Sequence, residues 1–428
     1  SPQSLTGMER LEKSLTTAPV HFVVIALALL WTLPTAGLLI SSFRQPEALL
    51  DYAYRGVHLA TIAAKGLIGT YYGRDIDYSY LSGCSNGGRA ALMEVARFPT
   101  DYDGVIAGAP VYRFAEFIPW AISVARAMRE APLTTASLDV LARASKEGCD
   151  RLDGVADGVI NDPRLCTSEH FDVANLECKG GNTDHCLSAG QVKTAQAIYA
   201  GVTDSDGKII APGVSPGAEN AGDWAFWTLP NTQIPDGSDE SLVAFMGNFL
   251  TSIMRHDPTF DLNAFDPATD THKIERELVA MDPTDTDLSD FKDNGGKLIV
   301  YQGWHDFPLR PERAFEHLQA VQDSMGGAEA VDAFYRLFMV PGMTHCAGGP
   351  GAWQTDYVTP LVQWREQGKA PDRIVGKQPG GKTAFNHLAP SDGSAPQEAF
   401  TRPQCVYPKL AQYSGQGDTT DASNFVCR

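Results

Sequence analysis

The sequence predicts an α/β protein built around a parallel sheet, and three observations carry that reading. Short runs of β-forming or apolar residues, Tyr78–Ser82, Val105–Ala107, Lys297–Tyr301 and Phe334–Val340, alternate with helical patterns at Arg89–Arg97 and Pro311–Met325. That alternation is what strand–helix–strand units produce. Small or kinking residues, such as Gly108-Ala109-Pro110, bound the runs. Polar residues of catalytic type, Ser85, Asp306 and His345, stand just past three of them, where functional groups of open α/β sheets collect. At 428 residues, 43% hydrophobic and 9% aromatic, the chain can bury a large core, as one domain with an insertion or as two domains. A net charge of −18 repels phosphate backbones, so nucleic acid is not an expected partner.

Residues 18–43 form an almost uncharged run long enough to span a bilayer. It ends at Arg44 without a small-residue cleavage site, so a membrane anchor is expected there, with a buried core helix as the alternative. From Pro46 to Tyr72, Leu49, Leu50, Tyr54, Val57, Ala60, Ile62, Ala63 and Leu67 recur near helical spacing, and Gly73 closes the helix. Next comes Gly83-Cys84-Ser85-Asn86-Gly87-Gly88, a G-x-S-x-G pattern between strand and helix. That context is the nucleophile elbow of an α/β-hydrolase. A Cβ on either flank of the serine would clash in so tight a turn. The helix that follows aims its N–H groups at the negative charge of acyl transfer.

The stretch Cys149–Cys166 differs in kind. Asp150, Asp153 and Asp157 are three and four residues apart in a Gly-containing loop. Carboxylates converging from one loop suit a hard cation such as Ca²⁺, and without one they would repel each other. The spacing departs from an EF-hand, and a solvated acidic turn is the alternative. Residues 167–290, rich in Asp, Pro, Gly and Trp, read as an insertion rather than a sheet domain. The regular pattern then returns, with Asp306 in GWHDFPLRP and His345 in PGMTHCAGGPG. The chain order Ser85, Asp306, His345 is that of α/β-hydrolases and of neither other large serine-hydrolase fold.

Eight cysteines, none in a Cys-x-x-Cys pair, argue against zinc and thioredoxin-type redox sites and for the disulfides of an exported protein. Cys84 directly precedes Ser85 and Cys346 directly follows His345. A bond between them would tie nucleophile to base and close a loop worth roughly 5 kcal/mol by chain entropy. Cys178 and Cys186 could close a small loop.

On GCSNGGR, the Cys–Asp loop, GWHDFPLRP, GMTHCAGGPG and the closing segment from Arg402 to Cys427, the chain from about Ala48 onward resembles the tannase and feruloyl esterase family, which includes mono-hydroxyethyl terephthalate hydrolases. The resemblance implies an α/β-hydrolase fold, with catalytic parts at 48–113 and 286–428 and a lid at 114–285. It also implies Ser85 as nucleophile, His345 as base and Asp306 as orienting acid, with the Asn86 N–H in the oxyanion hole. A structural Ca²⁺ would be held by the Asp150, Asp153 and Asp157 side chains and the Val155 and Val159 carbonyls. Implied bridges are Cys84–Cys346, Cys149–Cys166, Cys178–Cys186 and Cys405–Cys427. The implied substrates are esters of hydroxylated or carboxylated aromatic acids, and the implied setting is the periplasm or the exterior.

The family carries several further strands and a second oxyanion loop before its nucleophile strand. Here only an apolar segment, residues 1–47, precedes the matching part. The expectation is therefore a sheet lacking its N-terminal strands, with the nucleophile strand at an open edge and activity lowered by about 10²–10³ for one lost donor. The alternative reading is a weakly catalytic, Ca²⁺-bound, membrane-tethered binding protein.

Overall fold

The computed structural model describes residues 49–180, 185–230, 241–244, 246, 265–381 and 398–428. By internal contacts the chain divides into residues 1–56 and 57–428. Of the first unit only 49–56 are described; they are helical, with a π-helical turn at Asp51–Arg55. The apolar run 18–43 lies outside the described residues. Among those described, no helix is long and apolar enough to cross a membrane.

Four parallel strands form the sheet of the second unit: β1 (Tyr80–Cys84), β2 (Gly104–Gly108), β5 (Lys297–Gly303) and β6 (Tyr335–Val340), in the order β1-β2-β5-β6. Among the described residues β1 is the outer strand on one side. Every residue of β2 and β6 is buried, as strands covered on both faces require. The two-residue period sorts their side chains. Val105, Ala107, Leu298, Val300, Leu337 and Met339 face one layer, which contains α2 (Asn86–Arg97) and α8 (Glu312–Ser324). Ile106, Ile299 and Phe338 face the other, against Leu361 and Trp364 of α9 (Val358–Gln367).

The helix expected up to Tyr72 is present as α1 (Gly56–Tyr72), closed at Gly73, whose φ is +64° and whose N–H reaches the Gly69 carbonyl. Its apolar spacing is helical, yet Leu59, Ile62, Leu67 and Tyr71 are exposed among the described residues. After β2 the chain leaves the sheet through α3 (Phe114–Glu130), α4 (Thr135–Cys149) and α5 (Ala189–Ala200). A two-stranded hairpin follows, β3 (Val202–Thr203) with β4 (Ile209–Ala211), then α6 (Asp223–Thr228) and α7 (Pro267–Leu278), before the return at β5. The closing segment adds two antiparallel pairs, β7 (Arg373–Gln378) with β8 (Phe400–Cys405) and β9 (Ala411–Tyr413) with β10 (Phe425–Cys427). Just past β8, Val406 bridges Phe338 of β6.

Four disulfides are formed, Cys84–Cys346, Cys149–Cys166, Cys178–Cys186 and Cys405–Cys427. They fit an oxidising compartment.

Candidate active site

Ser85 occupies the one-residue corner between β1 and α2, with φ +63° and ψ −124°, a conformation that a side chain adopts only when its surroundings impose it. Two glycines make the corner possible. A Cβ on Gly83 would fall 2.4 Å from the Gly87 carbonyl oxygen, and one on Gly88 would fall 2.3 Å from that of Gly108. Gly87 corrects the expectation of a clash on both flanks: a Cβ there meets nothing within 4 Å. The second tight contact belongs to the next residue, because α2 approaches β2 there.

The Ser85 N–H donates to the Gly108 carbonyl at 3.0 Å, so the serine's own amide is engaged by β2. Asn86 begins α2, and its side-chain carbonyl accepts from Arg89 Nε at 2.8 Å. Arg89, fully buried, also donates to the Met281 carbonyl at 3.0 Å and so links the elbow helix to the segment returning from the inserted helices.

The three residues singled out beyond the strand ends meet. His345 Nε2 lies 2.9 Å from Ser85 Oγ, and His345 Nδ1 lies 2.9 Å from Asp306 Oδ2. Asp306 is fully buried and orders itself by two further acceptances, from Gln302 Nε2 at 3.0 Å and the Leu309 N–H at 2.9 Å. The Cys84–Cys346 bond spans a Cα–Cα distance of 6.0 Å between the residues adjoining serine and histidine. Cys346 itself has φ +64°, so both chain corners at the site are left-handed.

Sequence reasoning missed a fourth participant. Asp223, at the start of α6, accepts the backbone N–H groups of Phe307 and His345 on one oxygen, both at 3.1 Å. One inserted carboxylate thus holds the loop after β5 and the loop after β6 together. Burial pushes its pKa up to about 6, with Asp306 adding to the shift and His345 opposing it. Trp227, on the same helix, meets the His345 ring in a T-shaped arrangement with centroids 6.3 Å apart. No motif marks either residue; α6 reads only as one of several short helical runs. At His345 burial opposes the charged imidazolium, but Asp306 and then Asp223 outweigh it, so the pKa is raised.

The acidic loop is differently arranged. Gly154 and Gly158 take φ +89° and +78° and turn the chain. Each aspartate oxygen caps a nearby amide: Asp150 that of Gly158, Asp153 that of Val155, Asp157 that of Val159. Burial pushes Asp153 up to about 6, with Asp157 and Asp150 adding to it. Among the described residues the three carboxylates do not close into a cluster with all ligand atoms within 4.8 Å. Arg402 pairs with the second oxygen of Asp157 and supplies part of the charge that a cation would bring.

A strained serine at a strand–helix corner, hydrogen-bonded to a histidine that is oriented by a buried aspartate, on a parallel sheet, is the arrangement of a serine-type α/β-hydrolase. The chain matches the family described as tannase and feruloyl esterase over residues 35–428, and it belongs to that family as a carboxylic ester hydrolase. The match begins inside the apolar run, upstream of Ala48. The chain is 35% identical to an uncharacterized esterase of Xanthomonas campestris pv. campestris, over 89% of this chain and 70% of that protein. It is 33% identical to the mono(2-hydroxyethyl) terephthalate hydrolase of Piscinibacter sakaiensis, over 89% and 69%. The solved structure of feruloyl esterase B from Aspergillus oryzae superposes with a TM-score of 0.73 at 26% identity, covering 90% of this chain and 76% of that one.

Proposed function

We propose that this chain hydrolyses esters of hydroxylated or carboxylated aromatic acids through a Ser85–His345–Asp306 triad and an acyl-enzyme. The observation that carries the reading is the pair of 2.9 Å contacts from Ser85 Oγ through His345 to Asp306. His345 Nε2 takes the Ser85 proton as Oγ attacks the ester carbonyl. The imidazolium so formed is stabilised by Asp306, and the Asn86 N–H at the start of α2 donates to the oxyanion. His345 returns its proton to the departing alcohol. Water then gives a proton to the same nitrogen and attacks the acyl-serine, and the acid leaves with Ser85 reprotonated. The substrate class is supported by the names of relatives that act on feruloyl and terephthalate esters.

We also propose that the loop from Asp150 to Val159 binds Ca²⁺ through the three aspartates and the Val155 and Val159 carbonyls, since a partly buried set of oxygen donors suits a hard cation. Bound there, Ca²⁺ would neutralise carboxylates that otherwise face only Arg402.

Turnover of chromogenic galloyl, feruloyl and terephthaloyl esters by the purified protein, and its loss in Ser85→Ala, tests the catalytic reading. Folded protein inactive on all three classes would contradict it.

A further inference from the structure

Away from the triad, three side chains from separate segments converge: His58 on α1, Glu94 near the end of α2, and Asp101 in the loop that follows. Their ligand atoms all lie within 4.8 Å of one another. The His58 ring stacks on Phe98 with centroids 3.7 Å apart, and its Nδ1 stands 2.7 Å from Asp101 Oδ2. Glu94 is the unusual member. It is 1% exposed, and no donor reaches either of its carboxylate oxygens, which have only the Asp101 carboxyl within hydrogen-bonding reach. A buried carboxylate without a donor is strongly disfavoured and calls for a partner. Asp101 is itself a carboxylate and can bond Glu94 only through a shared proton. Lys65, the cation nearby, directs its ammonium to the Asp101 backbone carbonyl and lies over the Tyr102 ring.

We propose that His58, Glu94 and Asp101 form a divalent-cation site of the Zn²⁺ type. One imidazole nitrogen and two carboxylate oxygens are a donor set that Zn²⁺ takes with three protein ligands, leaving a fourth position to water. The His58 side chain is 23% exposed and that of Asp101 11%, which gives the ion a route in. The ion supplies the positive charge that Glu94 lacks. It also fastens α1 to the end of α2 opposite Ser85, and it joins no part of the hydrogen-bond chain from Ser85 to Asp306.

The test is zinc content after dialysis. Tag-free full chain, stripped with EDTA, is dialysed against Zn²⁺ and measured by inductively coupled plasma mass spectrometry, with Co²⁺ absorption reporting coordination. The expected result is one Zn²⁺ per chain in the wild type and in Asp153→Asn, lost in His58→Ala and Glu94→Gln. Tetrahedral Co²⁺ bands are expected only where Zn²⁺ is retained. Zinc that survives Glu94→Gln in folded protein would overturn the assignment. So would a wild type that binds none; a Glu94→Gln variant that then melts at a higher temperature would mark a proton shared with Asp101 in place of the ion. Should the variants fail to fold, anomalous diffraction at the zinc edge on wild-type crystals decides: a peak between the three side chains supports the site, and its absence overturns it.

Discussion

The serine corner and the acidic loop are both pinned by a disulfide and both hold carboxylates, buried at the first and half-buried in the second, yet they are built in opposite ways. At the serine corner each charge has donors aimed at it: Asp306 accepts from Gln302, Leu309 and His345, and Asp223 from Phe307 and His345. In the acidic loop, Asp150 and Asp157 push Asp153 further up, with Arg402 as the opposing cation. The first region is preorganised by residues far apart in sequence. The second is assembled from neighbours, and closeness in sequence does not bring its oxygens to one point.

The largest expected effect is on turnover. Ser85→Ala lowers kcat by about 10⁴-fold or more, and Asp306→Asn by on the order of 10⁴-fold through loss of imidazole orientation, both read from initial rates on a phenolic ester. The same changes leave the melting temperature of the acidic-loop region, followed by limited proteolysis between Cys149 and Cys166, where it was. The disulfides sharpen the contrast. Replacing Cys84 and Cys346 by Ala removes a bond that closes 262 residues, worth about 5 kcal/mol by chain entropy, against about 3 kcal/mol for the 17-residue separation of Cys149 and Cys166. Denaturant unfolding measures both, and only the first pair also lowers kcat in the folded fraction, because it displaces His345 from Ser85.

Asp223→Asn separates stability from activity. The Asp223 pKa is raised from 3.8 to about 6 on folding, so the stability it contributes is present below about pH 4 and is lost as pH rises through 6. The variant therefore gains on the wild type between pH 4 and pH 8, by on the order of 1–3 kcal/mol in denaturant titrations. Asp223 also raises the His345 pKa. Removing its charge moves the acidic limb of the kcat/KM profile to lower pH, while kcat falls roughly tenfold as the acceptor shared by the two loops becomes a neutral amide oxygen and holds them less firmly. A variant with an unshifted acidic limb would show that Asp223 acts on the histidine through neither charge nor position. The smallest effect belongs to the loop: millimolar Ca²⁺ raises the melting temperature by a few degrees and EGTA reverses it, with no response in Asp153→Asn. An identical melting temperature with and without Ca²⁺ would show that Arg402 suffices.

Much of the catalytic centre was legible because Ser85, Asp306 and His345 each follow a strand, half-buried before the serine and buried before the other two, and parallel strands bring such positions to one edge of the sheet. The strand before the serine reads two residues early, since Gly83 and Cys84 look like turn residues but pair with Ala107 and Gly108. The long closing sheet pairs were not legible. In β7 the buried positions are Ile374, Gly376 and Gln378, so alternation carries no apolar signal, and β8 contains Pro403. Asp223 escaped for another reason: it acts on backbone groups 84 and 122 residues away, and acceptors of backbone N–H leave no pattern in sequence.

The central claim, that Ser85 is activated by His345, is tested most directly by the rate at which a fluorophosphonate labels the protein, with the adduct located by peptide mass spectrometry. One adduct per chain on Ser85, formed rapidly in the wild type and slowed by orders of magnitude in His345→Ala, is the expected result. A modified residue other than Ser85, or equal labelling rates in the two proteins, would contradict it.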